Sequence, residues 1–189
     1  FRAGLALDAT NPQLHYDLGL ALKLKDKIAQ AIPEFELAEK EDPMLPDPPY
    51  TLGVLYMQTG RFADAAQELE RTLMLRPENG DAWSILGSVY KQMNEPAKAT
   101  RALRRAIALL PDQPSPHITL ASVLAEQGNS KDAAAERKMA ADLSRAAVAH
   151  QRARFDLDSG KLLLQRGQMA EAAEQLRGAV AADPEMAEA

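Results

Sequence analysis

The residues of this sequence that could do chemistry are three histidines and many carboxylates. His15 and His117 have no second histidine and no carboxylate one helical turn away. A zinc site needs three or four ligands that converge, so both are expected to be partly buried packing residues. His150 is expected to face solvent. The histidine pattern therefore predicts no metal site.

The carboxylates are densest between residues 34 and 42, at Glu34, Glu36, Glu39, Glu41 and Asp42. Paired carboxylates perform acid–base catalysis only in a desolvated cleft, whereas a run of this kind is typical of a solvated helix face. The nucleophile, zinc-protease and nucleotide-binding signatures are missing from the sequence. The sequence therefore predicts no catalytic residue and no cofactor.

The elements that carry these residues recur with a constant period of about 34 residues. Five positions keep this spacing, namely Leu18, Leu52, Leu86 and Leu120; Gly19, Gly53 and Gly87; Asp26, Gly60, Asn94 and Gly128; Ala31, Ala65, Ala99 and Ala133; Pro43, Pro77 and Pro111. A fixed period of this length indicates a stack of helical hairpins, because one hairpin cannot bury both its faces.

The clearest copy, residues 80–113, is predicted to form two helices joined by a tight turn. Its apolar positions have helical spacing; they are Trp83, Leu86, Gly87 and Tyr90, then Ala99, Leu103, Ala106, Ile107 and Leu110. The small residues Gly87 and Ala99 are expected where the helices cross, with Trp83 at the interface within the repeat. Asn94 is predicted as the N-cap of the second helix, with Pro96 in its first turn.

This pattern resembles the tetratricopeptide repeat family. The resemblance rests on Trp83, Leu86, Gly87, Tyr90, Ala99, Leu103, Ala106 and Pro111. It implies an all-α, right-handed superhelical solenoid of antiparallel helix pairs. It also implies a protein–protein interaction scaffold that binds a partner peptide or helix in its concave groove.

The predicted boundaries follow the period. Residues 1–11 end a preceding repeat, 12–45, 46–79 and 80–113 form repeats 1 to 3, 114–152 form repeat 4, 153–186 form repeat 5, and 187–189 begin a further one. The register slips after Gly128, because the next turn glycine is Gly167. A lengthened second helix in repeat 4 accounts for the slip. Pro33 interrupts the second helix of repeat 1, which is expected to begin near Ile32 or to bend.

A second stripe on the first helices is displaced from the core stripe by one residue. In the resembled family such positions line the groove, and here they are Tyr16, Leu20, Lys23, Tyr50, Val54, Met57, Ser84, Ser88 and Lys91. The alternative is that neighbouring first helices bury these residues against each other. The family's carboxylate clamp is not expected, because its matching positions hold no basic residue and no asparagine; they are Tyr16, Leu20, Thr51, Asp81 and Ile85.

The net charge and the composition limit which classes of partner the protein is expected to bind. The net charge is −5, which argues against nucleic acid, and no apolar run approaches the ~20 residues that span a bilayer. The chain has no cysteine, which excludes disulfides and leaves the compartment open. An alternative function is a non-catalytic substrate-positioning or self-assembly region of a larger protein, such as an enzyme.

Self-association is expected through uncapped ends, because an array leaves an apolar face at each terminus. The residues concerned are Phe1, Leu5 and Leu7 at one end and Leu176, Ala179 and Val180 at the other. Charge offers a second route. Residues 26–81 hold twelve acids and five bases, a net −7, and residues 91–105 hold five bases and one acid, a net +4.

Overall fold

The computed structural model describes residues 8–183, and this part of the chain contains nine α-helices and no β-strand. The helices are α1 Pro12–Leu24, α2 Ile28–Glu41, α3 Asp47–Gln58, α4 Phe62–Leu75, α5 Gly80–Gln92, α6 Pro96–Leu109, α7 Pro114–Glu126, α8 Ser130–Gln165 and α9 Met169–Ala182. The all-α class predicted from the sequence is confirmed.

The chain divides into two compact units, residues 1–136 and 137–189. In the first unit α1 packs on α2, α3 on α4 and α5 on α6, and each pair also contacts the next pair. The first helices are neighbours as well, since α3 contacts α5 and α5 contacts α7. This stack of hairpins is a helical repeat solenoid, in which each pair is stabilised mainly by the next.

Glycine sets how closely the helices of a pair approach. A Cβ atom built on Gly87 would lie 2.5 Å from Leu103 Cγ, and one on Gly53 would lie 2.7 Å from Leu69 Cγ. In the second unit, a Cβ on Gly160 would lie 2.7 Å from Leu176 Cγ. The predicted crossing at Gly87 is therefore present, and only a residue without a side chain fits there.

The turns between paired helices explain the Gly, Asp and Asn residues at the third recurring position. Asp26 and Asn94 have φ values of 56° and 57°, and Gly60, Gly128 and Gly167 also have positive φ. These residues tolerate the left-handed conformation best. The prediction that Asn94 caps α6 is wrong, because its φ belongs to the turn and Glu95 is the residue that precedes the helix.

The proline at position 33 does not delay α2. The helix begins at Ile28, and the amides of Gln30 and Ala31 both donate to the Lys27 carbonyl at 3.0 Å. The predicted start near Ile32 is therefore wrong. Ala31 and Phe35 are fully buried on either side of Pro33, so their packing compensates for the one hydrogen bond that proline removes.

The core of the first unit is formed by the recurring apolar positions. Its fully buried large side chains include Phe35, Leu52, Leu69, Leu86 and Leu103. Tyr56 and Tyr90 are buried at equivalent positions of successive pairs. Trp83 packs against the same core but stays half-buried, because one side of its ring lines an open groove.

Helix α8 runs without a break from Ser130 to Gln165. The sequence has no glycine or proline from residue 131 to 159, so nothing in that segment ends a helix. The boundary predicted between repeats 4 and 5, at residues 152 and 153, falls inside this helix, and the repeat boundaries stay a prediction. The expectations for Phe1, Leu5 and Leu7 lie outside the described residues.

Candidate functional site

The nine residues of the predicted groove lie on the first helices of three successive pairs. Each of the nine side chains is half-buried: Tyr16, Leu20 and Lys23 on α1; Tyr50, Val54 and Met57 on α3; Ser84, Ser88 and Lys91 on α5. We call this set the first-helix row. Four of its apolar members, Tyr16, Leu20, Tyr50 and Met57, pack against the core with part of their surface exposed.

Contacts between helices bring the beginning of the row together. The Tyr16 hydroxyl lies 3.5 Å from Thr51 Oγ1 on α3, and its ring lies 5.5 Å from that of Phe35 on α2. Burial raises the pKa of Tyr50, and the negative charge of Asp81 on α5 raises it further. Tyr16 therefore reaches towards α3, and Tyr50 lies close to α5.

The later part of the row is polar, and its groups are satisfied within the protein. Ser88 Oγ donates to the Ser84 carbonyl at 3.2 Å, and Lys91 Nζ lies 3.3 Å from Glu126 Oε1 on α7. These groups need no ligand to meet their hydrogen-bonding requirement. The apolar and aromatic residues of α1 and α3 therefore offer the stronger binding surface.

Sequence reasoning ends the row at α5 and misses Ile118 on α7. Ile118 follows Ser84 by one repeat period and is 57% exposed. The signal is present in the sequence, because extending the period by one copy leads from Tyr16, Tyr50 and Ser84 to this residue. An exposed isoleucine in this register extends the apolar surface to a fourth first helix.

The histidines have structural partners that the sequence did not reveal. His15 Nδ1 lies 2.7 Å from Glu34 Oε2, and His117 Nδ1 lies 2.6 Å from Glu136 Oε2. Both rings are buried, as expected for packing residues. Each carboxylate lies on the other helix of the pair, so sequence proximity could not indicate it. His150 is exposed, as expected.

The pKa of His15 is raised. Burial alone would lower it, but the hydrogen bonds to Glu34 and to the Ala9 carbonyl outweigh burial. Within residues 8–183 no group of three or more histidine or acidic side chains is placed to hold a metal ion. In the same part of the chain, no helix combines the length and apolarity needed to cross a bilayer.

A group of carboxylates joins α2, α3 and α4; Glu39 is buried, Glu68 is half-buried and Glu36 is exposed. The carboxyl cluster consists of Glu36, Glu39, Tyr56, Glu68 and Arg71. Tyr56 Oη donates to Glu36 Oε1 at 2.6 Å, and Arg71 Nη1 lies 2.8 Å from Glu39 Oε1. Burial raises the pKa of Glu68 to about 7, with a further increase from the nearby Glu39 carboxylate.

A groove of about 630 Å³ runs between α4 and α6 over α5. Its apolar floor includes Leu73, Met74, Trp83 and Leu86, and its rim includes Lys98, Arg101 and Arg105 of α6. We call it the Trp83 groove. Tyr90 and Glu70 close one end, where the tyrosine hydroxyl donates to the carboxylate.

Comparisons with known proteins agree with this architecture. A family model described as tetratricopeptide repeat matches residues 50–114 and 118–187. Solved structures of similar fold include a crystal structure of MamA, at 24% identity and TM-score 0.66, covering 90% of this chain and 97% of that one. A MamA structure from Desulfovibrio magneticus RS-1 has 22% identity and TM-score 0.71, covering 75% and 80%.

A third structure is that of YrrB, which its description calls a tetratricopeptide repeat protein with an unusual peptide-binding site. It has 18% identity and TM-score 0.69, and covers 97% of this chain and 92% of that one. A search of curated protein sequences gives no match. The structural likenesses concern the fold, whereas the family model matches well over half of the chain. The chain therefore belongs to the tetratricopeptide repeat family of protein-interaction scaffolds.

Proposed function

We propose that the chain binds a segment of a partner protein across the first-helix row. One observation carries the proposal: all nine side chains of the row are half-buried. Side chains that served only to pack neighbouring helices would be buried like Leu52 and Leu55 of α3, which are fully inaccessible. Side chains without a role would be as exposed as Leu24 of α1, at 88%.

The composition of the row favours a partner segment with apolar anchors. Tyr16, Tyr50 and Met57 supply large contact surfaces that are already held against the core, so little side-chain entropy is lost on binding. Tyrosine and methionine are among the residues enriched at interfaces. Ile118 extends the row by one helix. The row therefore suits an extended peptide or a helix that crosses several repeats.

Selection of peptides from a random displayed library against the 189-residue chain tests the proposal. Val54→Glu places a charge in the middle of the row and is expected to weaken selected peptides about tenfold, because their apolar anchors would face a carboxylate. The matched control is Met44→Glu, which places the same charge outside both the row and the Trp83 groove, at a side chain that is 74% exposed.

Thermal melting of both variants separates loss of binding from loss of folding. If no selected peptide is weakened by Val54→Glu, or if Met44→Glu weakens the peptides equally, the row is not the binding surface. The alternative left open by the sequence, that the first helices bury these residues against each other, would then stand for this part of the molecule.

Three finer expectations belong to the same proposal. The scaffold has no catalytic activity of its own; in support, His15 and His117 are each held by a carboxylate inside a helix pair. It does not bind nucleic acid, in keeping with its net charge of −5. Self-association is expected through the apolar surface of α9, where Val180 is 43% exposed. Sedimentation equilibrium over a range of concentrations tests the last expectation.

A further inference from the structure

The Trp83 groove exists because one position lacks a carboxylate that its equivalents have. Two positions contact each other in the first and fourth helix pairs, where they hold His15 and Glu34, and His117 and Glu136. The repeat period assigns Pro49 and Glu68, and Trp83 and Ala102, to the same positions of the second and third pairs. Glu136 binds His117 directly at 2.6 Å. Ala102 lines the groove together with Trp83 and has no carboxylate that could fill it.

The floor of the groove has the chemistry of a binding surface. Met74 is 84% exposed, and Trp83 is half-buried with its Nε1 donating to the Pro77 carbonyl at 2.9 Å. An indole held at one edge presents its ring face at little entropic cost. Tryptophan, methionine and arginine are the residues that interfaces favour, and a volume of about 630 Å³ lies within the range of ligand sites.

The rim of the groove is basic. Lys98, Arg101 and Arg105 recur at helical spacing along α6 and all line the groove, so their charges span about 10 Å of the helix. Lys98 pairs with Glu95 at 2.5 Å and Arg105 with Glu78 at 2.8 Å. Arg101 makes no ion pair within residues 8–183, and its side chain is exposed. Its charge is therefore available to a partner.

We propose that the Trp83 groove binds an acidic peptide segment that carries a bulky apolar side chain. The apolar side chain lies on Trp83 and Met74, and flanking carboxylates meet the rim of α6, with Arg101 as the principal contact. This site is separate from the first-helix row, so a partner can be recognised on two surfaces of the same unit.

The shape of the site selects this occupant among anionic ones. Arg101 supplies an unpaired charge, and Lys98 and Arg105, whose ion pairs are partly exposed and therefore weak, extend the basic row along the helix. Such a row matches a series of carboxylates along a peptide better than one compact anion. An apolar floor disfavours a phosphate backbone, and the net charge of −5 disfavours nucleic acid further. Glu70, which also lines the groove, accepts a hydrogen bond from Tyr90.

The experiment uses two matched peptide libraries displayed against the whole chain. In one library the variable positions hold Asp, Glu, Leu, Phe and Ala; in the other, Lys and Arg replace the acids. Trp83 is the only tryptophan of the protein, so its fluorescence reports on the groove alone. Peptides selected from the acidic library are expected to shift the fluorescence emission of Trp83. Peptides selected from the basic library are expected to leave this emission unchanged.

Charge reversal on α6 supplies the matched comparison. Arg101→Glu is expected to weaken the selected peptides about tenfold, because it turns the principal contact into a repulsion. Arg104→Glu makes the same change on the same helix outside the groove and is expected to leave affinity within about twofold. Both arginines are exposed, so neither variant disturbs the core.

Several outcomes would overturn the proposal. One is acidic peptides that bind without changing Trp83 emission; another is equal losses in the Arg101→Glu and Arg104→Glu variants. A single-stranded DNA of matched charge that binds with the same dependence on Arg101 would assign the groove to nucleic acid. A parent dimer that Arg101→Glu dissociates in sedimentation would assign it to a second copy of the chain.

Discussion

The carboxyl cluster and the Trp83 groove occupy equivalent positions of the first unit, one repeat period apart, yet their chemistry is opposite. Tyr56 binds Glu36 in the cluster, as Tyr90 binds Glu70 at the groove. Where the cluster has Glu39 and Glu68, the groove has Leu73 and Ala102. Two residue differences thus separate a partly buried group of carboxylates from a groove lined by apolar side chains.

The comparison shows that the backbone frame and the surface chemistry are set by different residues. Gly53 against Leu69 and Gly87 against Leu103 fix the helix crossing in the same way in both pairs. The side chain at position 68 or 102 then decides whether the space between second helices is filled. A repeat protein can in this way change one surface while its fold stays constant.

The largest effect is expected from breaking the shared frame. Gly87→Ala would place Cβ 2.5 Å from Leu103 Cγ, and we expect it to lower the free energy of unfolding by about 3 kcal/mol. Gly87→Leu is expected to prevent the pair from forming. Gly178→Ala is the control, because its Cβ would meet only the Asp156 side chain, at 3.3 Å.

Denaturant unfolding of these variants measures the difference. The control is expected to match the parent or to exceed its free energy of unfolding by up to about 1 kcal/mol, since alanine favours a helix over glycine. An unfolding free energy for Gly87→Ala equal to that of the control would show that the helices of this pair do not approach as described.

A smaller effect is expected at the aromatic floor. Trp83→Ala is expected to lower the free energy of unfolding by about 2 kcal/mol, less than the roughly 3–5 kcal/mol typical of a buried tryptophan, because part of the ring is already in water. Trp83→Phe keeps the ring contact and is expected to recover most of the loss. If both variants have the melting temperature of the parent, the indole does not contribute to stability and serves only binding.

The carboxyl cluster is expected to make the free energy of unfolding depend on pH. The pKa of Glu68 is about 7 in the folded protein, above its ordinary value of 4.5. The folded state therefore binds a proton that the unfolded state releases, so the free energy of unfolding falls as pH rises from about 4.5 to about 7. Glu68→Gln removes this loss and is expected to stabilise the protein by on the order of 1 kcal/mol at about pH 8, after allowance for solvent screening.

Asp112→Asn is the control for that experiment, because Asp112 is exposed. Its unfolding curves are expected to follow those of the parent at every pH. Parallel pH profiles for the parent and Glu68→Gln would show that Glu68 is not perturbed by its burial.

The sequence predicted the backbone frame of turns and helix crossings better than it predicted the side-chain contacts on the surfaces. The period identified the turn residues Asp26, Gly60 and Asn94, and all three have positive φ. The repeat period predicts these residues because each turn and each helix crossing requires one residue type at a single position of the repeat. It misassigned Asn94 as a cap, because asparagine favours both the cap and the left-handed turn.

The surfaces depend on which side chains face each other across helices. Glu34 and Glu136 lie on the second helices of their pairs, too far along the chain from His15 and His117 for any local pattern to mark the contacts. The Trp83 groove depends on Ala102, which looks like an ordinary helix residue until its equivalents Glu68 and Glu136 are aligned with it. The slip in register predicts a lengthened helix α8, but not its continuation to Gln165, since a change of register does not show where the helix ends.

The side chain at position 102 decides whether this surface is open. Ala102→Glu restores the carboxylate of the other pairs, with Arg105 three residues later as its partner, as Arg71 follows Glu68. The direct measurement is acrylamide quenching of Trp83, together with the affinity of peptides selected for the groove. We predict reduced quenching and loss of binding in a variant that still melts as one folded unit. Unchanged quenching and unchanged affinity would contradict this role of position 102.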